Sequence, residues 1–352
     1  MKFITKLIVC LSTIFLFNCS SDKRNILELN GEVIGTDTKS IMLIKPNQDT
    51  RFDSIIEIPI VNGKFYYKKE LKNPEVVNLA FTQSVKKGIY RPMPLFLENE
   101  KIDLTIFPED EFDKNIVKGG DLNSEYKNYK KEAESLFNSR DWEKQLKWEQ
   151  EDYIGQNPNL VSYYLFLEQL IYFKEYINLD LAKNNYKKLS KIYPNHLYND
   201  LATNLIKAIE NIKVGKKYAD FSAPDLNGNE IKLSEKINGK VALLDLWATW
   251  CGPCIAKSRT MVPLYNEYKN KGFTIIGVAG EFKNTDRLVK FLEKEKWEWI
   301  NLVELDRQNN IWQKYGVDGG GGGIFLIDQN GIILAKDPTA KEVRMELESR
   351  LN

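Results

Sequence analysis

The apolar run Val241-Ala242-Leu243-Leu244-Asp245-Leu246-Trp247 leads, after a short turn, into Cys251-Gly252-Pro253-Cys254, and this junction constrains the fold more than any other feature of the chain. Such a run suits a strand buried on both faces. The residues from Gly252 to about Asn270 read as a helix, so Cys251 is expected at its N-terminal end. There the unpaired backbone N–H groups and the helix dipole favour an anion. A thiol so placed titrates below its ordinary value of about 8.5, toward about 7, and Cys254 lies one turn on, where it can attack a mixed disulfide formed on Cys251. A carboxylate inside a buried strand costs several kcal/mol unless it finds a partner or takes up a proton, which makes Asp245 a candidate working residue.

Around this junction the chain alternates strands and helices. Phe273 to Val278 reads as a strand, Thr285 to Glu295 as a helix and Asn309 to Tyr315 as a short helix. Ile324 to Asp328 and Ile332 to Ala335 pair across Gln329-Asn330-Gly331, and a last helix starts near Thr339. The order β-α-β-α-β-β-α predicts a sheet with helices on both faces.

The segment Asp245-Leu246-Trp247-Ala248-Thr249-Trp250-Cys251-Gly252-Pro253-Cys254 resembles the thioredoxin active site almost residue for residue. The resemblance extends over residues 214–352, and Ala219-Asp220-Phe221 with Asn227-Gly228 are similar to the first strands of the TlpA/ResA group of envelope thioredoxins. It implies an α/β thioredoxin-like domain and a thiol-disulfide oxidoreductase, with Cys251 and Cys254 catalytic and Asp245 passing protons to and from the buried cysteine through water. Trp250, Gly252, Pro253, Gly321, Gly322 and Gly323 are the candidate substrate-binding residues. Glu281, beyond the strand Phe273 to Val278, is a candidate second acid or base.

Two departures from the family pattern stand out. Where thioredoxins carry a cis-proline opposite the cysteines, this chain has Gly319 to Gly323. Such a run reads either as a floppy loop or as side chains removed so that a bulky substrate backbone can approach Cys251. Lys257 and Arg259 stand where the family commonly has an acidic residue and a kinking proline. They are expected to add positive charge near the dithiol, lowering the Cys251 pKa or receiving an acidic partner, although Arg259 also reads as simply solvated.

Upstream, residues 26–120 show short alternating runs: Ile41, Leu43 and Ile44, then Ile55, Ile58 and Ile60, then an Asn62-Gly63 hairpin turn before Phe65, Tyr66 and Tyr67. They predict a small all-β sandwich or barrel. Leu29 to Gly35, Val61 to Phe65 and Pro94 to Asn99 resemble a domain of unknown function that often precedes thioredoxin-like domains in bacterial lipoproteins. Residues 121–213 change to helical spacing, with Tyr126, Tyr129, Ala133, Leu136 and Phe137, and again Leu160, Tyr163, Tyr164, Leu167, Leu170 and Ile171, as core stripes.

At the N-terminus Lys2 and Lys6 precede an apolar run from Leu7 to Phe17, so residues 1–18 read as a signal peptide. Eleven helical residues rise only about 16 Å, roughly half a bilayer core, so the run is too short to span a membrane. Leu16-Phe17-Asn18-Cys19 resembles a lipobox, although Phe17 is bulky and Asn18 replaces the usual small residue. The resemblance implies lipidation of Cys19, with residues 19–25 as a polar tether. In the alternative reading the signal is an ordinary cleaved one and Cys19 is incidental. Ser20 after the cysteine points to the outer membrane, facing the periplasm.

The remaining features narrow the function. A net charge of +1 supplies no footprint for nucleic acid. The chain has one histidine, His196, so histidine-rich metal sites and histidine-dependent triads are poorly supplied, and no metal centre is expected. No cofactor is expected beyond the redox-active disulfide Cys251-Cys254. A haem attachment would need histidine where Ile255 stands. A peroxidatic cysteine would need Thr or Ser three residues before it, where Ala248 and Cys251 stand. The expected activity is reduction of protein disulfides by a membrane-tethered enzyme fed by an inner-membrane electron donor. The alternatives are a partner-binding scaffold that uses the fold as an adaptor, and a peroxidase.

Overall fold

The computed structural model describes residues 26–46, 55–139, 141–317 and 321–351. The signal-like segment, Cys19 and its tether, and Gly319 and Gly320 lie outside the described residues.

The N-terminal strands are β1 (Leu27–Val33), β2 (Ser40–Ile44), β3 (Ile56–Pro59), β4 (Lys64–Lys69), β5 (Glu75–Phe81), β6 (Met93–Leu97), β7 (Lys101–Ile106) and β8 (Ile116–Lys118). They form two four-stranded sheets, ordered β4-β1-β7-β8 and β3-β2-β5-β6. Alternation along the strands turns Leu27, Leu29, Ile41, Leu43, Ile102 and Leu104 into one core between the sheets, which makes the domain a sandwich. Each such side chain contributes about 1.5–3 kcal/mol on burial. Gly31 pairs with Phe65, and a Cβ on it would lie 2.0 Å from the phenyl Cζ, so only glycine lets that ring lie across β1.

The Asn62-Gly63 turn forms as the sequence predicts, with φ of 51° and 74° and Val61 bonded to Lys64 in both directions. The strands on either side of it belong to different sheets, however. The turn therefore carries the chain across the sandwich and closes no continuous hairpin.

The helical section comprises α1 (Asp121–Glu132), α2 (Leu160–Tyr172), α3 (Leu179–Ile192) and α4 (Tyr198–Asn211), with shorter turns between. Asn159 and Asn178 cap α2 and α3, each side chain accepting from the backbone N–H three residues on. Nearly all of α2 is buried, and its Tyr163, Tyr164 and Phe166 join Tyr129, Tyr153 and Tyr198 in one core. His196 is half-buried, with Nε2 3.3 Å from the Pro74 carbonyl and Nδ1 accepting from the Tyr198 N–H.

The C-terminal unit starts with the hairpin β9 (Ser222–Pro224) and β10 (Glu230–Lys232) and the short α5 (Leu233–Ile237). Its sheet contains β11 (Val241–Trp247), β12 (Phe273–Ala279), β13 (Ile300–Val303), β14 (Gly323–Ile327) and β15 (Ile333–Lys336), in the order β13-β12-β11-β14-β15. The helices are α6 (Gly252–Tyr268), α7 (Asp286–Glu295), α8 (Ile311–Lys314) and α9 (Ala340–Leu351). Met261, Leu264, Leu288, Val343 and Leu347 bring α6, α7 and α9 onto one face. Leu233, Ile237, Ile311 and Trp312 bring α5 and α8 onto the other, together with Ala208 and Ile212 from the end of α4. This is the α/β thioredoxin-like arrangement predicted for residues 214–352.

Strand β13 is absent from the sequence-based order. Its four residues follow Trp297 and Trp299 without a turn signal, and β12 supplies their pairing from outside the segment. Pro263 lies inside α6, one turn beyond Arg259, which stands where the family commonly has its kinking proline.

Asn123 of α1 fastens the helical section to the sandwich. Its Oδ1 accepts the Phe96 N–H at 3.0 Å and its Nδ2 donates to the Phe96 C=O at 2.7 Å, as a neighbouring strand would at the open edge of β6. Asn123→Ala should leave two buried backbone groups unpaired and lower stability by about 2 kcal/mol, measured by urea unfolding.

Candidate active site

The dithiol stands where β11 turns into α6. The Cys251 N–H bonds to the Ala248 C=O at 3.1 Å, closing a tight turn, and Cys251 then caps the helix. Its Sγ accepts the Cys254 N–H at 3.3 Å, the place a capping oxygen ordinarily takes. Pro253 occupies the first turn, where a missing N–H costs nothing. The two sulfurs are joined as a disulfide with the Cα atoms 5.3 Å apart. Cys251 is only 7% exposed and Cys254 is half-buried. Burial therefore does not single out the nucleophile; the capping position does, because only Cys251 sits at the positive end of the helix.

A cavity of about 340 Å³ brings both cysteines together with Trp250, Gly252 and Pro253 on one side and Gly321, Gly322 and Gly323 on the other, and Asp245 reaches it as well. Asp245 is buried, and this pushes its carboxyl pKa up to about 7, against the opposing effects of the Ser258 hydrogen bond and the Lys257 charge. Ser258 Oγ lies 2.6 Å from Asp245 Oδ2 and 3.0 Å from the Cys254 C=O. One hydroxyl proton serves only one acceptor well. A protonated Asp245 resolves this by donating to Ser258, which then donates to the Cys254 carbonyl. Ser258 was not singled out from sequence; the available signal was a small polar residue four places after Cys254, on the same helix face.

The glycine run divides. A Cβ on Gly322 would lie 2.1 Å from the Leu246 C=O and 2.7 Å from Cys254 Sγ, so glycine there permits close packing of the loop on the dithiol. A Cβ on Gly321 would meet nothing within 4 Å, and that side faces the open cavity.

Three expectations change. Glu281 does not line the cavity; it lies behind the turn, its Oε1 accepting the Thr249 N–H at 2.7 Å and its Oε2 the Thr249 hydroxyl at 2.8 Å. Lys257 brings no uncompensated charge, since Asp337 Oδ1 is 3.0 Å from its Nζ. Arg259 is paired with Glu295 through bonds of 2.9 and 2.6 Å while its side chain stays 54% exposed.

For Asp245 the folded state keeps a proton that the unfolded chain releases, between its ordinary value of 3.8 and about 7. Stability contributed by this group accordingly falls as pH rises through that window. Asp245→Asn should melt above the parent protein at pH 8, and the gain should shrink toward pH 4, measured by thermal unfolding of the oxidised proteins.

Comparison with known proteins places these features in context. The model described as the AhpC/TSA family matches residues 214–336, and that of a domain of unknown function, DUF4369, matches residues 27–126. Thiol-disulfide oxidoreductase ResA of Bacillus thuringiensis subsp. konkukian is 32% identical over 147 residues, covering 40% of this chain and 79% of the relative. Thiol:disulfide interchange protein DsbE of Pseudomonas fluorescens biotype C is 31% identical over 128 residues, covering 35% of this chain and 65% of the relative. Among solved structures, the thioredoxin domain of a thiol-disulfide oxidoreductase from Bacteroides vulgatus is similar at 28% identity and a TM-score of 0.36, over 40% of this chain and 99% of that one.

Proposed function

Because the chain belongs to the family of thiol-disulfide oxidoreductases that includes ResA, we propose that it reduces disulfides of envelope proteins while tethered through a lipid on Cys19 to the periplasmic face of the outer membrane. The observation that carries the chemistry is Cys251 as helix cap, bonded to Cys254 in a cavity that Asp245 reaches. In the reduced enzyme the Cys251 thiolate attacks one sulfur of a target disulfide, forming a mixed disulfide and releasing a target thiolate. Cys254 then gives up its proton, which Asp245 is placed to receive through water, and attacks Cys251 Sγ. The Cys251-Cys254 disulfide forms, the second target thiolate leaves, and two electrons have passed to the target. An inner-membrane dithiol donor returns the enzyme to its reduced form.

The cavity suits a protein substrate, since the exposed Gly252, Pro253 and Gly321 leave backbone accessible beside the sulfurs. Extended peptide can pair with such backbone, while Trp250 offers an aromatic wall.

Two measurements test the proposal. Cys251→Ser should abolish reduction of a protein disulfide, whereas Cys254→Ser should accumulate a mixed disulfide with the target; full activity in Cys251→Ser would overturn the assignment. Cys19→Ala should move the protein from the membrane fraction to the soluble periplasmic fraction, and unchanged fractionation would remove the anchor from the proposal.

A further inference from the structure

The turn that delivers Cys251 to its helix is Ala248-Thr249-Trp250-Cys251, closed by the Cys251 N–H on the Ala248 C=O. In a turn of this size the outward polar groups of the two central residues have no partner within the turn itself. Here one segment, from Gly280 in the loop after β12 to Arg287 in the first turn of α7, meets four of them. Glu281 takes the Thr249 N–H and hydroxyl. Arg287 Nη2 donates to the Thr249 C=O at 2.9 Å, and the Trp250 indole N–H donates to the Gly280 C=O at 2.9 Å. Thr249 and Glu281 are 3% and 4% exposed, so these bonds have almost no competition from water. Glu281 is itself held, because its C=O accepts the Asp306 N–H at 2.8 Å.

We propose that Glu281 is a positioning residue for Cys251, fixing the turn that makes it a helix cap and, through its buried negative charge, holding the dithiol at a more reducing potential. The proposal rests on the thiol-disulfide reading of the site and deepens it. Both Glu281 carboxyl oxygens accept from Thr249, one from its N–H and one from its hydroxyl. A negative charge behind the nucleophile disfavours its thiolate. A thiolate less stabilised in the reduced form makes a stronger reductant, the reverse of the case in which a stabilised reduced form makes a strong oxidant.

The charged and titratable groups around Cys251 and Glu281 from the neighbouring elements are Asp245 of β11, Lys257 of α6 with Asp337 after β15, Glu281 and Arg287 of the loop and α7, and Asp306 with Arg307 ahead of α8, the Arg307 guanidinium lying over the Phe282 and Trp312 rings. Asp245 is linked through Ser258 to the backbone of Cys254, and Lys257 is compensated by Asp337. Glu281 and Arg287 are both bonded directly to the turn that carries Cys251, and Glu281 is the carboxylate of the two.

The test uses the full chain, reduced, with two variants. Glu281→Gln keeps the shape and can still bond Thr249, with the hydroxyl now accepting, but removes the charge. Thr249→Val keeps the charge and removes one of its two compensating bonds. Thiolate absorbance against pH and equilibration with glutathione are the readouts. Glu281→Gln should shift the Cys251 titration to lower pH and move the glutathione equilibrium about tenfold toward the dithiol, equivalent to about 30 mV more oxidising. Thr249→Val should move both the opposite way, by about threefold. The proposal is overturned if Glu281→Gln leaves both readouts within twofold of the parent. Should that variant not fold, a shift of Thr249→Val toward the dithiol, or no shift, overturns it equally. Both readouts are taken on the dithiol itself, so they are separable from failure of the parent protein to reduce protein disulfides.

Discussion

A helix cap works only if the residue before the helix is held in a non-helical conformation, and the chemistry of this protein depends on that constraint at Cys251. The sulfur takes the place of a capping oxygen, so the forces that fix the helix start also fix the reactive atom. Behind it, the buried β11 supplies the anchor, with parallel β12 on one side and antiparallel β14 on the other. The catalytic turn is thus the exit of a strand buried along its whole length. That position explains how a short turn holds one geometry.

The two buried carboxylates near the dithiol illustrate opposite solutions to one electrostatic problem. Asp245 sits among apolar side chains with a single hydroxyl for company, and burial moves its titration into the neutral range. Glu281 meets a backbone N–H and a hydroxyl, one for each oxygen. The first environment suits a group that exchanges protons, and the second a group that holds a backbone turn in place.

The dithiol, its strand and its helix were legible in the sequence because apolar periodicity and a C-x-x-C turn are local signals. Asp245 was legible for the same reason, as a polar residue in an apolar run. Ser258 and Thr249 were not, because their importance comes from the carboxylates of Asp245 and Glu281, which only the folded chain brings against them. Glu281 was noticed from its place after a strand, but its partner lies 32 residues away in sequence and decides its role. Similarly, β13 becomes a strand through its pairing with β12, and Asn62-Gly63 forms its turn while the register beyond it is set by two separate sheets. Charge was misleading at Lys257 and Arg259 because their counter-ions, Asp337 and Glu295, are distant along the chain.

Helix α4 begins in the core of the helical section, with Leu201 and Leu205, and ends in that of the C-terminal sheet, with Ala208 and Ile212. Lys174 adds a second link, its Nζ donating at 3.0 Å to the C=O of Gly316, just ahead of the glycine run. A rod embedded in two cores does not unfold in halves, because melting either end strips buried area from the other. In hydrogen-exchange terms the amides of α4 belong to the slow-opening units of both neighbours at once. The accessory region thereby shares in the kinetic persistence of the redox domain, and a cleavage on either side of α4 would unsettle both.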